Sequence, residues 1–305
     1  MPHNSYLMSE STFMEALSDL LRLIQLQVSV YHNAKVCGDW VINEHELGQT
    51  CFHMATEGGC LLKVPNHGTF TLNCGDLVIF PREVPHSMTP LIPLTGIQQH
   101  LDYKTDLPGI GMLCGKVLFE HQASQQLLCA LPPVFVIPND EHSPWLTKLL
   151  TLIQIESYED SQGSKVILDK LSELLFTYAI RHYLKAHSNE AGVLALYAHP
   201  KLAAVVNAIH GEPQRNWHLE QLAAIALQSR TAFAESFRKT SGWTPMQYIT
   251  WWRMQLAWSM LSKGKNVAST AEHIGYQSES AFSRAFKKQF SISAGAVRRK
   301  IRGQP

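Results

Sequence analysis

The sequence predicts an α+β protein of two modules, a strand-rich N-terminal part followed by an all-helical C-terminal part. Three observations support this division. Short apolar runs separated by Gly, Pro and Asn fill residues 27–138. Helical periodicity takes over from about residue 143. The segment QSRTAFAESFRK at 228–239 recurs as QSESAFSRAFKK at 277–288, which predicts a duplicated helical unit.

The N-terminal part is predicted to be mainly β-structure with flanking helices. Residues 12–25 have helical spacing, whereas runs such as CLLKV, DLVIF and VFVIP predict many short strands in a small barrel or sandwich. Helices follow at 143–160, with Ser143 as N-cap and Pro144 at the first position, and at 164–187. The apolar stripe of the second helix packs either inside the subunit or against a second one (Val166, Ile167, Leu171, Leu174, Leu175 and Tyr178). A polar stretch at 186–192 predicts a linker.

From His199 onward the pattern predicts about seven helices. In each copy of the repeat, two Phe residues four apart share one helix face, and a preceding Ser is placed as N-cap. Each copy follows a shorter helix and a tight turn, which is a helix-turn-helix arrangement. The helix predicted at 244–265, with Thr244 as N-cap and Pro245 first, joins the two copies. About 20 residues span ~30 Å, close to the ~34 Å between successive major-groove faces of DNA.

The charge distribution supports a nucleic-acid partner for the C-terminal part. Residues 199–305 carry 15 Lys and Arg against 5 Asp and Glu, a net charge of +10. Residues 1–198 carry the remaining 11 and 20, a net charge of −9. A basic module beside an acidic one predicts DNA binding by the first and another task for the second.

Targeting signals and cysteine spacing predict a cytoplasmic protein. The N-terminus lacks a basic region followed by an apolar one, and no apolar run approaches the ~18 residues of a membrane helix. The six cysteines have no CxxC spacing, which is typical of reduced thiols. We therefore expect no membrane partner.

Residues 199–299 resemble the AraC/XylS-type bacterial transcription regulators. The most specific stretch is IGYQSESAFSRAFKKQFSISAG, and WRMQLA at 252–257 resembles the family's motif in the connecting helix. Two positions depart from the pattern, because Ala294 replaces a usual Pro and Val297 replaces a usual aromatic residue. The resemblance implies a DNA-binding transcription regulator, an activator class in our prediction, with promoter DNA and RNA polymerase as partners.

The resemblance also places the DNA contacts on the exposed faces of the two repeat helices. The implied base-facing residues are Thr231, Ala234 and Glu235 in the first helix and Glu279, Ser280, Ser283 and Arg284 in the second. Arg is suited to pair bidentately with guanine, and Glu to accept from cytosine N4. The expected phosphate contacts are Arg230, Arg238, Lys239, Lys287 and Lys288.

The N-terminal part resembles the cupin barrels. GDLVIFPREVPH at 75–86 resembles the second cupin motif with Glu83 in place of an inner Gly, and His53 stands where the first motif carries paired histidines. Two imidazoles, His53 and His86, are too few for a closed transition-metal site, so neither metal nor cofactor is expected. No nucleophile–base constellation emerges, and we assign no catalytic residue.

Small-molecule sensing by a barrel pocket is the default expectation for such a domain. A second hypothesis is oxidant sensing, in which a neighbouring imidazolium lowers the pKa of a thiol; it involves Cys51, His53, Cys74 and His86. The predicted organisation is therefore an effector domain at 1–140, a helical linker or dimerisation region at 141–190 and a DNA-binding domain at 191–305. The alternative is a metal-dependent cupin enzyme or metal sensor fused to a DNA-binding domain.

Overall fold

The computed structural model of the 305-residue chain describes residues 16–23, 26–43, 47–92, 95–101, 109–119, 128–159, 161–187 and 192–301. Its contacts divide the chain into two compact units. The strand-rich unit comprises residues 26–120 and 131–183, and the helical unit comprises residues 1–25, 121–130 and 184–305. The predicted α+β class and the order of its two parts are confirmed.

The strand-rich unit contains two antiparallel sheets. Its strands are β1 (Leu26–Cys37), β2 (Thr50–Glu57), β3 (Cys60–Val64), β4 (Gly68–Leu72), β5 (Leu77–Phe80), β6 (Ser87–Pro90), β7 (Gln99–Leu101), β8 (Ile110–Phe119) and β9 (Phe135–Ile137). The larger sheet has the order β7-β1-β8-β2-β5-β9, and the smaller has the order β4-β3-β6. A single bridge between Ile42 and Met88 adds a contact beside β6.

Both sheets contribute to one apolar core. The larger sheet supplies Val36, Cys51, Val78, Phe80, Met112 and Cys114, and the smaller supplies Cys60, Leu62, Val64, Leu72 and Met88. Successive strand residues point to opposite faces, so the register fixes which side chains enter this core. Cys51 pairs with Phe80, and His53 pairs with Val78 on one side and Cys114 on the other.

Two helices follow the strands, α1 (Pro144–Glu159) and α2 (Ser164–Ala186), and the strand-rich unit includes α2 as far as Tyr183. The first begins at Pro144 as predicted, but the capping role assigned to Ser143 is wrong. Its hydroxyl donates to the carbonyl of Pro138 and accepts from the amide of Asp140, on the chain before the helix. The predicted stripe of α2 is divided, since Leu175 is fully buried whereas Val166 and Leu174 are exposed.

The helical unit consists of short helices around one long helix. They are α3 (Ala195–Ala198), α4 (Leu202–Gly211), α5 (Leu219–Ile225), α6 (Arg230–Ser241), α7 (Pro245–Ser262), α8 (Val267–His273), α9 (Glu279–Phe290) and α10 (Ala294–Ile301). Residues 16–23 are also helical and belong to this unit, whereas 12–15 and 24–25 of the predicted N-terminal helix lie outside the described residues. The amide of Ala16 donates to Asn207 Oδ1 over 2.8 Å.

None of the helices in these described ranges combines the length and apolar character required to cross a bilayer.

Candidate DNA-binding surface and sensor core

The first helix-turn-helix motif is formed by α5 and α6. Ser229 caps α6 as predicted, since its hydroxyl accepts from the amide of Ala232 over 3.3 Å. Phe233 and Phe237 are fully buried on one face of the helix. The helix ends at Gly242, whose φ of +78° lies in the left-handed region that favours glycine. The sequence therefore fixes both ends of α6 and the face that it buries.

The second motif, formed by α8 and α9, repeats this construction. Ser278 caps α9 through a 3.2 Å hydrogen bond from the amide of Ala281. Phe282 and Phe286 are fully buried, at the positions equivalent to the Phe pair of the first motif. At Gly275 in the turn, φ is +83° and a Cβ atom would overlap the backbone of Gln214. Only glycine fits this turn without displacing the neighbouring loop.

The long helix α7 connects the two motifs. Thr244 accepts from the amide of Gln247, and Gln247 returns a hydrogen bond by accepting from the amide of Thr244, which completes a capping box. Its 18 residues span about 27 Å at 1.5 Å per residue. Arg253 donates to the carbonyls of Pro213 and Arg215 over 2.7 and 2.8 Å and so anchors the loop before α5.

Both departures from the family pattern lie in the core of the second motif. Ala294 and Val297 on α10 are 2% and 5% exposed, and they pack in the cluster that contains Phe282 and Phe286. These substitutions therefore change internal packing and leave the outward faces of α6 and α9 unaltered.

The structure places the predicted DNA-contact residues on the faces away from the buried Phe residues. Ala234 and Ser283 are half-buried, whereas the others are exposed: Thr231, Glu235, Glu279, Ser280 and Arg284. The predicted phosphate contacts are exposed as well: Arg230, Arg238, Lys239, Lys287 and Lys288. DNA contact by both sets of residues remains a prediction. Most of these side chains are exposed, as such contact requires.

One ion pair at this surface was missed by the sequence analysis. Arg230 Nη1 lies 2.9 Å from Glu220 Oε1, which joins the start of α6 to α5. This hydrogen bond with Arg230 is the main cause that lowers the pKa of Glu220. The two residues are ten apart in separate helices, and no short-range pattern signals such a pair.

In the strand-rich unit, three of the four predicted effector residues lie close together. Cys51, His53 and His86 are all buried. The ring centroids of His53 and His86 are 5.2 Å apart, and His86 stacks on Phe80 at 4.3 Å. The fourth residue, Cys74, is exposed and its thiol donates to the carbonyl of Thr56. It is not part of the buried cluster.

The charge states in this cluster oppose the thiolate hypothesis. Burial lowers the pKa of His53 to about 3, so the imidazole is neutral at physiological pH. Burial also raises the pKa of the Cys51 thiol, and the carboxylate of Glu83 raises it further. Both shifts run against activation of the Cys51 thiol by an imidazolium at His53, and oxidant sensing through these residues stays a prediction.

His53 has an unusual environment for a buried polar group. Neither Nδ1 nor Nε2 has a hydrogen-bond partner among the described residues. Leaving a buried polar atom unpaired costs about 1–3 kcal/mol. No group of three or more His, Cys, Asp and Glu side chains in the described ranges is arranged to hold a metal ion.

Comparisons with known proteins agree with this two-part architecture. A cupin family model matches residues 15–185, and a helix-turn-helix domain model matches residues 222–300. The RCS-specific HTH-type transcriptional activator RclR of Escherichia coli is 31% identical over 295 residues, covering 95% of this chain and 99% of that protein. The chain belongs to the AraC-type family of transcription regulators with an N-terminal cupin domain.

Other relatives in this family match over nearly their full length. The HTH-type transcriptional regulator AlkR of Acinetobacter baylyi is 29% identical, with 92% of this chain and 97% of that protein covered. Among solved structures, fatty-acid-bound ToxT from Vibrio cholerae is 12% identical with a TM-score of 0.37, covering 91% of this chain and 96% of that chain. The sequence relatives and the helix-turn-helix match show that the protein is a DNA-binding transcription regulator, as the sequence predicted.

Proposed function

We propose that this AraC-type regulator reads two successive segments of promoter DNA through α6 and α9, under control of an effector bound by its cupin domain. The observation that supports this proposal is the pair of helix-turn-helix motifs, which bury equivalent Phe residues and expose basic outer faces. The base contacts are Thr231, Ala234, Glu235, Glu279, Ser280, Ser283 and Arg284. The phosphate contacts are Arg230, Arg238, Lys239, Lys287 and Lys288.

For the domains we propose an effector-sensing domain at 1–140, a linker and dimerisation region at 141–190 and a DNA-binding domain at 191–305. Residues 141–183 of the proposed linker belong to the strand-rich unit. The exposed apolar side chains Leu152 and Ile155 on α1, and Val166, Ile167 and Leu174 on α2, support a homodimer. The protein acts in the cytoplasm, contacts RNA polymerase and has no enzymatic activity.

The effector is a small molecule or an oxidant. The unpaired nitrogens of His53 beside His86 support a polar ligand or a bound water molecule in the domain core. A relative named as an RCS-specific activator supports the oxidant alternative and a role in activation. Oxidation would then act on a neutral thiol, since burial disfavours the thiolate of Cys51.

The salt dependence of DNA binding tests this function. Five phosphate contacts predict a slope of about −4.5 for log K against log salt concentration, which is an affinity loss of about 500-fold over a fourfold increase in salt. The measurement is fluorescence anisotropy of the full-length protein on promoter DNA upstream of its own gene and of the neighbouring genes. Affinity that does not change with salt would refute binding through these cations.

A further inference from the structure

A polar cavity lies between the edge of β1 and the ends of α1 and α2. It has a volume of about 200 Å³ and is lined by Val30, Tyr31, His32, Asn33, Glu156, Ser157, Ser164, Lys165 and Leu168. All these residues belong to the strand-rich unit. Because a single water molecule needs only about 10–15 Å³ of this kind of volume, the cavity has room for a small ligand.

The cavity exists because β1 is irregular at this point. The register of β1 on β8 shifts between Val30 and His32, so Tyr31 is an extra residue in the strand. Side chains of α2 satisfy the free edge beside it. Asp169 accepts from the amide of Val30 over 2.8 Å, and Lys165 donates to its carbonyl over 3.1 Å. Helix α2 therefore satisfies the backbone groups of Val30, and the cavity lies beside Tyr31, the extra residue of the strand.

Two polar groups of the lining are buried without a hydrogen-bond partner among the described residues. Ser164 is 6% exposed and its hydroxyl oxygen has no hydrogen-bond partner among the described residues. The same holds for His32 Nε2, which is buried. Glu156 also lines the cavity and is half-buried. In native proteins, buried polar atoms that have no protein partner usually form hydrogen bonds with a ligand or a water molecule.

The unsatisfied groups share the ability to accept hydrogen bonds. Burial and the neighbouring His100 lower the pKa of His32 to about 4, so its ring is neutral and one nitrogen accepts. The Ser164 hydroxyl accepts as well, and Glu156 contributes a carboxyl side chain to the same lining. Lys165, which also lines the cavity, lies 3.8 Å from Asp169. Glu156 also lies in the last turn of α1, where the helix dipole favours a cation.

From these contacts we infer that the cavity binds a small protonated primary amine, whose three N–H donors match Glu156, Ser164 and His32. This inference rests on the proposed effector role of the N-terminal domain and names a ligand class for it. The amine joins β1 to the first turn of α2. It would thereby fix the α1–α2 pair against the sheet.

Calorimetry on the full-length protein tests the ligand class with three probes of similar size. n-Pentylamine is expected to bind, whereas 1-pentanol and valerate, which replace the ammonium by a hydroxyl or a carboxylate, are expected not to. Glu156→Gln should weaken amine binding by about tenfold or more, because a charge-assisted hydrogen bond is lost. Glu159→Gln, an exposed control on the same helix, should leave it unchanged.

Ser164→Ala gives a second, independent measurement. It should weaken amine binding by several-fold but leave the melting temperature of the unliganded protein equal or higher, because the lost hydroxyl has no partner to lose. Ser161→Ala should change neither quantity. The inference is overturned if pentylamine does not bind, if pentanol or valerate binds equally well, or if Glu156→Gln binds the amine normally.

The DNA assay separates this inference from the proposed function. Failure of amine binding with normal salt-dependent DNA binding would overturn the amine site alone. Amine binding that leaves DNA affinity and transcription unchanged would keep the site and overturn the effector role of the amine.

Discussion

Replacing Arg284 by Ala should relax the DNA sequence preference of the second recognition helix without unfolding it. Arg284 is exposed on α9, on the side away from the fully buried Phe282 and Phe286. Arg and Ala have similar helix propensities, and a surface substitution of this kind changes stability by within about 0.5 kcal/mol. Any large effect on DNA binding must therefore arise from the lost contact.

The expected magnitude follows from the geometry of an Arg–guanine pair. Such a bidentate contact contributes about 1–3 kcal/mol of discrimination, which corresponds to about 5- to 150-fold in affinity for the preferred site. Non-specific DNA should be bound with nearly unchanged affinity, so the ratio of specific to non-specific affinity falls by the same factor. Lys288→Ala, one turn further along α9, should instead weaken binding to all sequences and reduce the salt slope by about 0.9.

Selection of bound sequences from a random DNA pool, followed by anisotropy titrations, distinguishes the two variants. The Arg284→Ala pool should lose its preference at one base pair, and the Lys288→Ala pool should match the wild type. If Arg284→Ala selects the wild-type sequences with unchanged stringency, Arg284 does not read a base. The base-contact positions that the family resemblance implies for α9 would then be wrong.

Two further predictions concern stability. His53→Leu should make the protein less sensitive to acid. The pKa of His53 is about 3 in the folded state and about 6.5 in the unfolded state, so between these values only the unfolded chain binds a proton at this residue. The free energy of unfolding of the wild type therefore decreases as the pH falls through this window. The wild type should lose about 2 kcal/mol more than the variant between pH 7 and pH 5 in urea titrations, and equal losses would contradict a buried neutral imidazole. Phe282→Ala removes a fully buried ring and should reduce the free energy of unfolding by about 3–5 kcal/mol. Ser283→Ala on the same helix is its control, and a cost below about 1 kcal/mol for Phe282→Ala would show that the Phe pair is not the scaffold of the motif.

Features with short-range causes were predicted well from the sequence. The caps at Ser229 and Thr244 depend on residues three apart, and the buried face of α9 follows from the four-residue spacing of Phe282 and Phe286. The inward orientation of Cys51 and His53 follows from strand alternation. In each case the physical cause lies within one or two turns of the chain, so a single sequence contains it.

Features that depend on distant residues were not predictable. The amide of Ala16 bonds to Asn207, 191 residues away, and Asp19 lies 3.8 Å from His210 in the same region. Burial lowers the pKa of His210, and Asp19 partly opposes that effect. The cavity beside Tyr31 likewise requires a register shift between β1 and β8. No local pattern encodes these pairings, because each depends on which elements meet after folding.

The helices α6 and α9 share one scaffold but differ in the order of their charges. α6 carries Arg230, Glu235, Arg238 and Lys239, and α9 carries Glu279, Arg284, Lys287 and Lys288, so each has a net charge of +2. Their attraction to phosphates is therefore similar. The order of charges differs, since the first turn is basic in α6 and acidic in α9, and the middle position is acidic in α6 and basic in α9. Arg230 is also paired with Glu220. Because the packing faces are the same and the total charge is equal, we expect the two helices to differ in sequence preference through the base-facing positions that differ, above all Glu235 and Arg284.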